Sequence, residues 1–141
     1  MPDIRHFLRI ASEPEKVYNA IATQDGLSAW WTPQTTAKAE VGSISIFGFG
    51  PTYFKQIRVE ELIPARLVNW KCLTGDPEWV DTDFEFVLKP FAGGTELFFS
   101  HGKWRAYTAM YSQCSFDWAM FLLSLKLYCE TGKGKPFPDF M

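Results

Sequence analysis

Residues 4–10 alternate Ile4, His6, Leu8 and Ile10 against Arg5, Phe7 and Arg9, a period of two that predicts a strand with one buried face. Ser12 and Glu15 then have the spacing of a capping box, Pro14 suits a first turn, and Val17, Ala20 and Ile21 recur at helical steps, which predicts a short helix over 13–23. Asp25-Gly26 is read as the break after it, and Leu27, Trp30 and Trp31 form a second apolar turn that Pro33 ends. Five runs of strand character follow, at 43–49, 54–63, 67–73, 80–89 and 95–104, separated by Gly50-Pro51, Pro64-Ala65-Arg66, Gly75-Asp76-Pro77 and Ala92-Gly93-Gly94. If the last turn pairs Pro90 with Thr95, then Lys89 faces Glu96, and Phe84, Phe86 and Leu88 face His101, Phe99 and Leu97 across one aromatic face. The register leaves Val87 and Phe98 on the other face. From about 107 to 131 there is neither proline nor glycine, and Cys114, Trp118, Phe121, Leu122, Leu125, Tyr128 and Cys129 recur every three or four residues, which predicts one long amphipathic helix stopped by Gly132 and Gly134, with Pro136 and Pro138 beyond.

Strand, two short helices, a strand meander and a long terminal helix make an α+β fold whose sheet must be covered by that helix. A curved sheet gripping a helix leaves a cavity between them. No repeat, low-complexity segment or linker divides the chain, and 141 residues suit a single domain over 1–141 whose folding hides roughly 68–70% of its surface without staples. A net charge of −2 with no dense basic run argues against nucleic acid or an anionic membrane as partner. The charged N-terminus is no secretion signal, and the longest uncharged stretch, 41–54, is interrupted by Gly42, Gly48, Gly50 and Pro51, so no membrane span is expected. Cys72, Cys114 and Cys129 are an odd number, far apart and without a Cys-x-x-Cys pair, which points to free thiols and a cytoplasmic setting.

Glu15-Lys16-Val17-Tyr18-Asn19-Ala20 running to Leu27-Ser28-Ala29-Trp30-Trp31, then Pro64-Ala65-Arg66-Leu67-Val68-Asn69-Trp70, Phe84-Glu85-Phe86 with Gly93-Gly94-Thr95-Glu96-Leu97 and His101, and Trp118 with Leu122, Ser124-Leu125-Lys126, Glu130 and Gly132 follow one another in a telling order. In that order the chain resembles the START-like helix-grip superfamily (SRPBCC), and within it the family named for activators of heat-shock-protein-90 ATPase, over nearly its whole length. The resemblance implies a curved antiparallel sheet of six or seven strands wrapped around the C-terminal helix, with two short helices after the first strand. It also implies that the first and last strands are neighbours, bringing His6 and His101 close together. One departure stands out: the family often has glycine before the closing-helix tryptophan, where this chain has Asp117, an acid expected near the cavity mouth.

His6 and His101 fall on inward phases, either as satisfied core histidines or as a polar anchor or acid–base pair in an apolar cavity. Asp81, Asp83 and Glu85 share a face, but it is the solvated one opposite Phe84 and Phe86, so no metal site is expected. Gly48-Phe49-Gly50 and Gly132-Lys133-Gly134-Lys135 lack the spacing and context of phosphate loops, no serine sits in a nucleophile elbow, and Cys114 on an apolar stripe reads as packing. No catalytic residue and no cofactor are assigned. The remaining signal is aromatic: 13 phenylalanines, 6 tryptophans and 5 tyrosines, 17% of the chain. So many rings on a helix-grip sheet argue for an apolar cavity that binds a small hydrophobic molecule of lipid or polyketide type, with Trp31, Trp70, Phe84, His101, Cys114 and Trp118 as ligand-binding wall residues. The alternatives are an enzyme of cyclase, dehydratase or hydrolase type acting on such a ligand, or an interaction module, either a chaperone ATPase regulator or a homodimer joined through Val87 and Phe98.

Overall fold

A computed structural model describes residues 2–140. Seven strands form one antiparallel sheet: β1 (Ile4–Ile10), β2 (Gln34–Thr36), β3 (Ile44–Gly48), β4 (Phe54–Ile63), β5 (Leu67–Thr74), β6 (Asp83–Phe91) and β7 (Gly94–Gly102). Their order across the sheet is β1-β7-β6-β5-β4-β3-β2, so the first strand pairs with the last and the meander runs outward from it. Helices α1 (Pro14–Ala22) and α2 (Gln24–Trp30) follow β1, and α3 (Ala109–Thr131) closes the fold across the same face. This is the α+β helix-grip arrangement. The β6–β7 register is the one the turn chemistry predicts: Phe84 opposes His101, Phe86 opposes Phe99, Leu88 opposes Leu97 and Lys89 opposes Glu96. Gly94 permits the close return: at φ 150°, a Cβ there would stand 2.1 Å from the Ile10 carbonyl oxygen.

Four local readings are corrected by the structure. The capping box at Ser12 is not formed: with Pro14 at the first turn the cap falls on Glu13, and the Ser12 carbonyl instead accepts the Thr95 hydroxyl. The break between the short helices is Thr23, whose hydroxyl oxygen accepts the Gly26 N–H. Gly26 lies inside α2, where a Cβ would come within 2.5 Å of the Ala20 backbone, so the glycine serves helix-to-helix approach. The fourth predicted run, 80–89, begins three residues late, at Asp83, because Trp79 and Val80 donate back to the Asp76 carbonyl and fold residues 76–82 into a turn. β2, three residues long, was invisible to periodicity. At the other end, α3 stops as expected: Gly132 takes φ 85° and its N–H caps the Tyr128 carbonyl.

The core is aromatic and continuous from α2 to β7. Trp31 stacks on Trp70 with centroids 5.9 Å apart and planes 9° off parallel, and meets Phe47 at 4.4 Å and Trp118 at 5.2 Å. The acids of the β6 edge lie outside it, Asp81 and Asp83 pairing with Lys71 and Lys103. All three cysteines are unpaired. No helix among the described residues is long and apolar enough to cross a membrane.

Candidate functional site

Four segments converge on a cavity of about 580 Å³ between the sheet and α3. Helical periodicity aims Met110, Gln113, Cys114, Asp117, Trp118 and Phe121 at it from one face of α3. The turn into β4 contributes Phe49 and Tyr53, β4 itself Lys55, and the turn before β6 contributes Trp79. The last wall is the C-terminal tail, which folds back after Gly132: Phe137 N–H donates to the Trp31 carbonyl at 2.8 Å, and Lys135 N–H donates to the Ser124 hydroxyl, itself bonded to the Trp30 carbonyl. Phe140 consequently stacks on Phe121, centroids 4.0 Å apart, and Phe137 meets Phe49.

Of the wall residues expected from sequence, Cys114 and Trp118 line this cavity. Trp31, Trp70, Phe84 and His101 are buried one layer deeper, where they form the floor beneath Trp118 and Trp79. His101 is part of that floor by its hydrogen bonds. Trp118 Nε1–H donates to its Nδ1 at 3.1 Å, so Nδ1 carries no proton. The Thr82 hydroxyl gives its proton to the Trp79 carbonyl, so His101 Nε2–H is the donor in the 2.8 Å contact with Thr82. Both nitrogens are used, the ring is neutral, and burial, helped by the Lys55 charge, holds its pKa well below 6.5. His6 is elsewhere: it opposes Phe99, not His101, and its Nε2 meets the Ser115 carbonyl at 3.1 Å. The two imidazoles face inward from neighbouring strands but do not share a reacting centre.

The depressed His101 pKa has a signed consequence. Above pH 6.5 the ring is neutral folded or unfolded; below it the unfolded chain takes up a proton that the folded one refuses. Stability is therefore lost as pH falls from 6.5 toward the folded pKa, by about 1.4 kcal/mol per unit for this one group. Urea unfolding at pH 7, 6 and 5 should show a steeper loss for the wild type than for His101→Gln; equal slopes would contradict the neutral, locked ring.

Lys55 is the group that sequence reasoning passed over. It is 5% exposed, and its ammonium lies 3.7 Å from the Trp79 ring centroid and 4.3 Å from that of Tyr53, whose hydroxyl is its hydrogen-bond partner. Burial lowers its pKa to about 8. The signal was in the alternation of β4, where Ile57 and Val59 point inward and Lys55 shares their phase. Burial likewise pushes the Tyr53 phenol up to about 12, and the Cys114 thiol, which accepts Trp79 Nε1–H at 3.4 Å, is raised and thus a poor nucleophile. Asp117 lines the cavity and accepts from Gln113. Among the described residues no cluster of His, Cys, Asp and Glu is arranged to hold a metal ion. The cavity offers rings for stacking, one cation with a phenol beside it, and a thiol that stays protonated.

Residues 11–130 match the family model described as activator of Hsp90 ATPase homolog 1-like protein. The chain is 38% identical to a protein from Colwellia psychrerythraea whose solution structure is described as an Aha1 dimer, over 95% of this chain and 100% of that one, with a TM-score of 0.87. MLL2253 from Mesorhizobium loti (19% identity, 89% and 94% covered, TM-score 0.80) and CalU16 from Micromonospora echinospora (18%, 99% and 79%, TM-score 0.73) share the fold. No curated protein matches the chain.

Proposed function

The chain belongs to the activator of Hsp90 ATPase homolog 1-like family, and from that premise we propose that it binds a small hydrophobic or aromatic molecule between its sheet and C-terminal helix. The observation that carries the reading is the cavity: about 580 Å³, walled by rings from four segments, with its polar groups confined to a few positions. That is the usual form of a small-molecule site. A neutral, fully bonded His101 and a protonated Cys114 favour binding over acid–base turnover. Three free thiols support a reducing, cytoplasmic setting as part of this proposal. A thermal-shift screen against fatty acids, sterols, flavonoids and polyketide-like aromatics tests it. A ligand at 100 times its Kd adds about 2.7 kcal/mol and raises the midpoint by several degrees, a shift that Met110→Trp, filling the cavity, should abolish. A shift unchanged in that variant would contradict the site.

A second copy of the chain is a further proposed partner. On the outer face, Phe7 pairs with Phe98 at 5.0 Å and Phe98 lies opposite Val87, which lies opposite Leu67, while Ile63 continues the row on β4. Phe7, Phe98 and Ile63 are each about half exposed and lie along one row of the sheet rather than scattered over the surface. The Colwellia protein, described as a dimer, supports a second copy as partner. Sedimentation should show a monomer–dimer equilibrium that Phe98→Glu shifts at least tenfold toward monomer; a concentration-independent monomer would contradict it.

A further inference from the structure

Resting on the cavity-binding reading, we infer that the ligand is an acid: an amphipathic molecule whose carboxylate or comparable anion pairs with Lys55 and Tyr53 while its apolar body lies against Phe121, Phe137 and Phe140. A lysine inside an aromatic cavity is expensive unless its charge is matched. Lys55 is more than nine-tenths buried and belongs to no ion pair among the described residues; Tyr53 is its one hydrogen-bond partner, leaving two ammonium protons toward the rings and the cavity. The faces of Trp79 and Tyr53 attract the cation but accept no full hydrogen bond from it. An anionic oxygen entering from the cavity would supply both the hydrogen bonds and the opposite charge. The Tyr53 hydroxyl adds a second contact at the same end. Where the tail meets α3, Phe121, Phe137 and Phe140 line the cavity, with Phe140 stacked on Phe121, an aromatic surface for the ligand's apolar body.

The acid form of the ligand has a pH signature. The groups facing Lys55 from other elements are Tyr53 and Asp76 in the flanking turns, Cys72 on β5, Cys114 on α3 and His101 on β7, with Asp117 also lining the cavity. Burial pushes Tyr53 up to about 12, Cys72 up to about 11 and Cys114 above its ordinary value, and holds His101 neutral, so over pH 7 to 9 Lys55 is the member of that set whose charge changes most. With its pKa near 8 in the free protein, about nine-tenths of Lys55 is charged at pH 7 and about one-tenth at pH 9. Affinity for an anion should therefore weaken about tenfold across that interval, while a neutral isostere should show no such slope.

The experiment is calorimetric titration of the intact chain with two matched pairs, 2-naphthoate against 2-naphthamide and nonanoate against nonanamide, at pH 7 and 9, in the wild type and in Lys55→Met. The expected result is that each acid binds the wild type at pH 7 at least tenfold more tightly than its amide, and loses about tenfold by pH 9. In Lys55→Met the preference for the acid and its pH slope both disappear while amide binding persists, which also shows that the variant folds. Acid and amide binding the wild type equally, with no slope, would overturn the inference and leave the cavity reading standing. Failure of all four compounds to bind the wild type would overturn both.

Discussion

Trp118→Ala is expected to lower stability by about 5 kcal/mol in urea unfolding at pH 7. The side chain is 2% exposed and lies among Phe99 at 4.5 Å, Trp31 at 5.2 Å, Phe84 at 6.1 Å and Phe121 at 6.4 Å, so truncation opens a hole where the floor of the cavity meets the core. Removing a buried tryptophan to alanine typically costs about 3–5 kcal/mol, and the surrounding rings, already interlocked, have little freedom to collapse inward. The indole N–H also leaves with the ring, and His101 Nδ1 loses its donor, which adds about 1 kcal/mol. Trp118→Phe separates these two contributions. It retains most of the volume and removes the donor, and its expected loss is about 2 kcal/mol. Against a total of roughly 5–15 kcal/mol for a domain of this size, the alanine variant is close to unfolding. A loss below about 2 kcal/mol for Trp118→Ala would show that the helix is held to the sheet elsewhere.

Lys55→Met is expected to do the opposite and stabilise the protein at pH 7 by about 2 kcal/mol. The fall of the lysine pKa from 10.5 to about 8 represents roughly 3 kcal/mol of disfavour for the charged form in the folded state, and the Trp79 and Tyr53 faces return on the order of 1 kcal/mol. Methionine fills nearly the same space without the charge. The sign with pH follows. Between pH 8 and 10.5 the unfolded chain holds a proton that the folded one has released, so wild-type stability rises as pH rises through that window. The variant should show no such rise, and the two curves should converge toward pH 10.5. Urea midpoints at pH 7, 9 and 10 measure this directly; a destabilised Lys55→Met would mean that the cation is already matched within the folded chain. A buried cation that lowers stability inside a cavity fits a site shaped for binding.

The parts of this molecule that could be read from sequence are those where one local rule decides. Alternation and the Gly93-Gly94 turn set the β6–β7 register, because a one-residue slip would send Phe84, Phe86 and Leu88 to the solvent face. The long unbroken run before Gly132 announced α3 in the same way. Resemblance supplied what periodicity could not, the adjacency of β1 and β7. Where two local signals competed, the reading slipped: Ser12 and Pro14 each mark a helix start, and proline at the first turn prevailed. Gly26 looked like a breaker because nothing local reveals that Ala20 presses against it.

The site was legible only in part for a related reason. Trp118 and Cys114 lie on a helix face whose direction follows from spacing, whereas the depth of Trp31, Trp70 and Phe84 depends on how the rings pack in three dimensions. The tail was unreadable: Pro136 and Pro138 say that the helix does not resume, but the return of Phe137 and Phe140 rests on hydrogen bonds to Trp31 and Ser124 far away in sequence. Lys55 was readable and overlooked, since charge suggests surface more strongly than phase suggests burial.

The most direct test of the cavity as a binding site is a titration of the nitrogen-15-labelled protein with 2-naphthamide, the neutral probe, followed by proton–nitrogen correlation spectra. Saturable shifts are expected in the Trp79 and Trp118 indole signals and in the backbone amides of residues 53–55, 110–121, 137, 139 and 140, with those of Phe7 and Phe98 on the outer face unmoved. Shifts confined to the outer face, or none that saturate, would contradict the cavity reading.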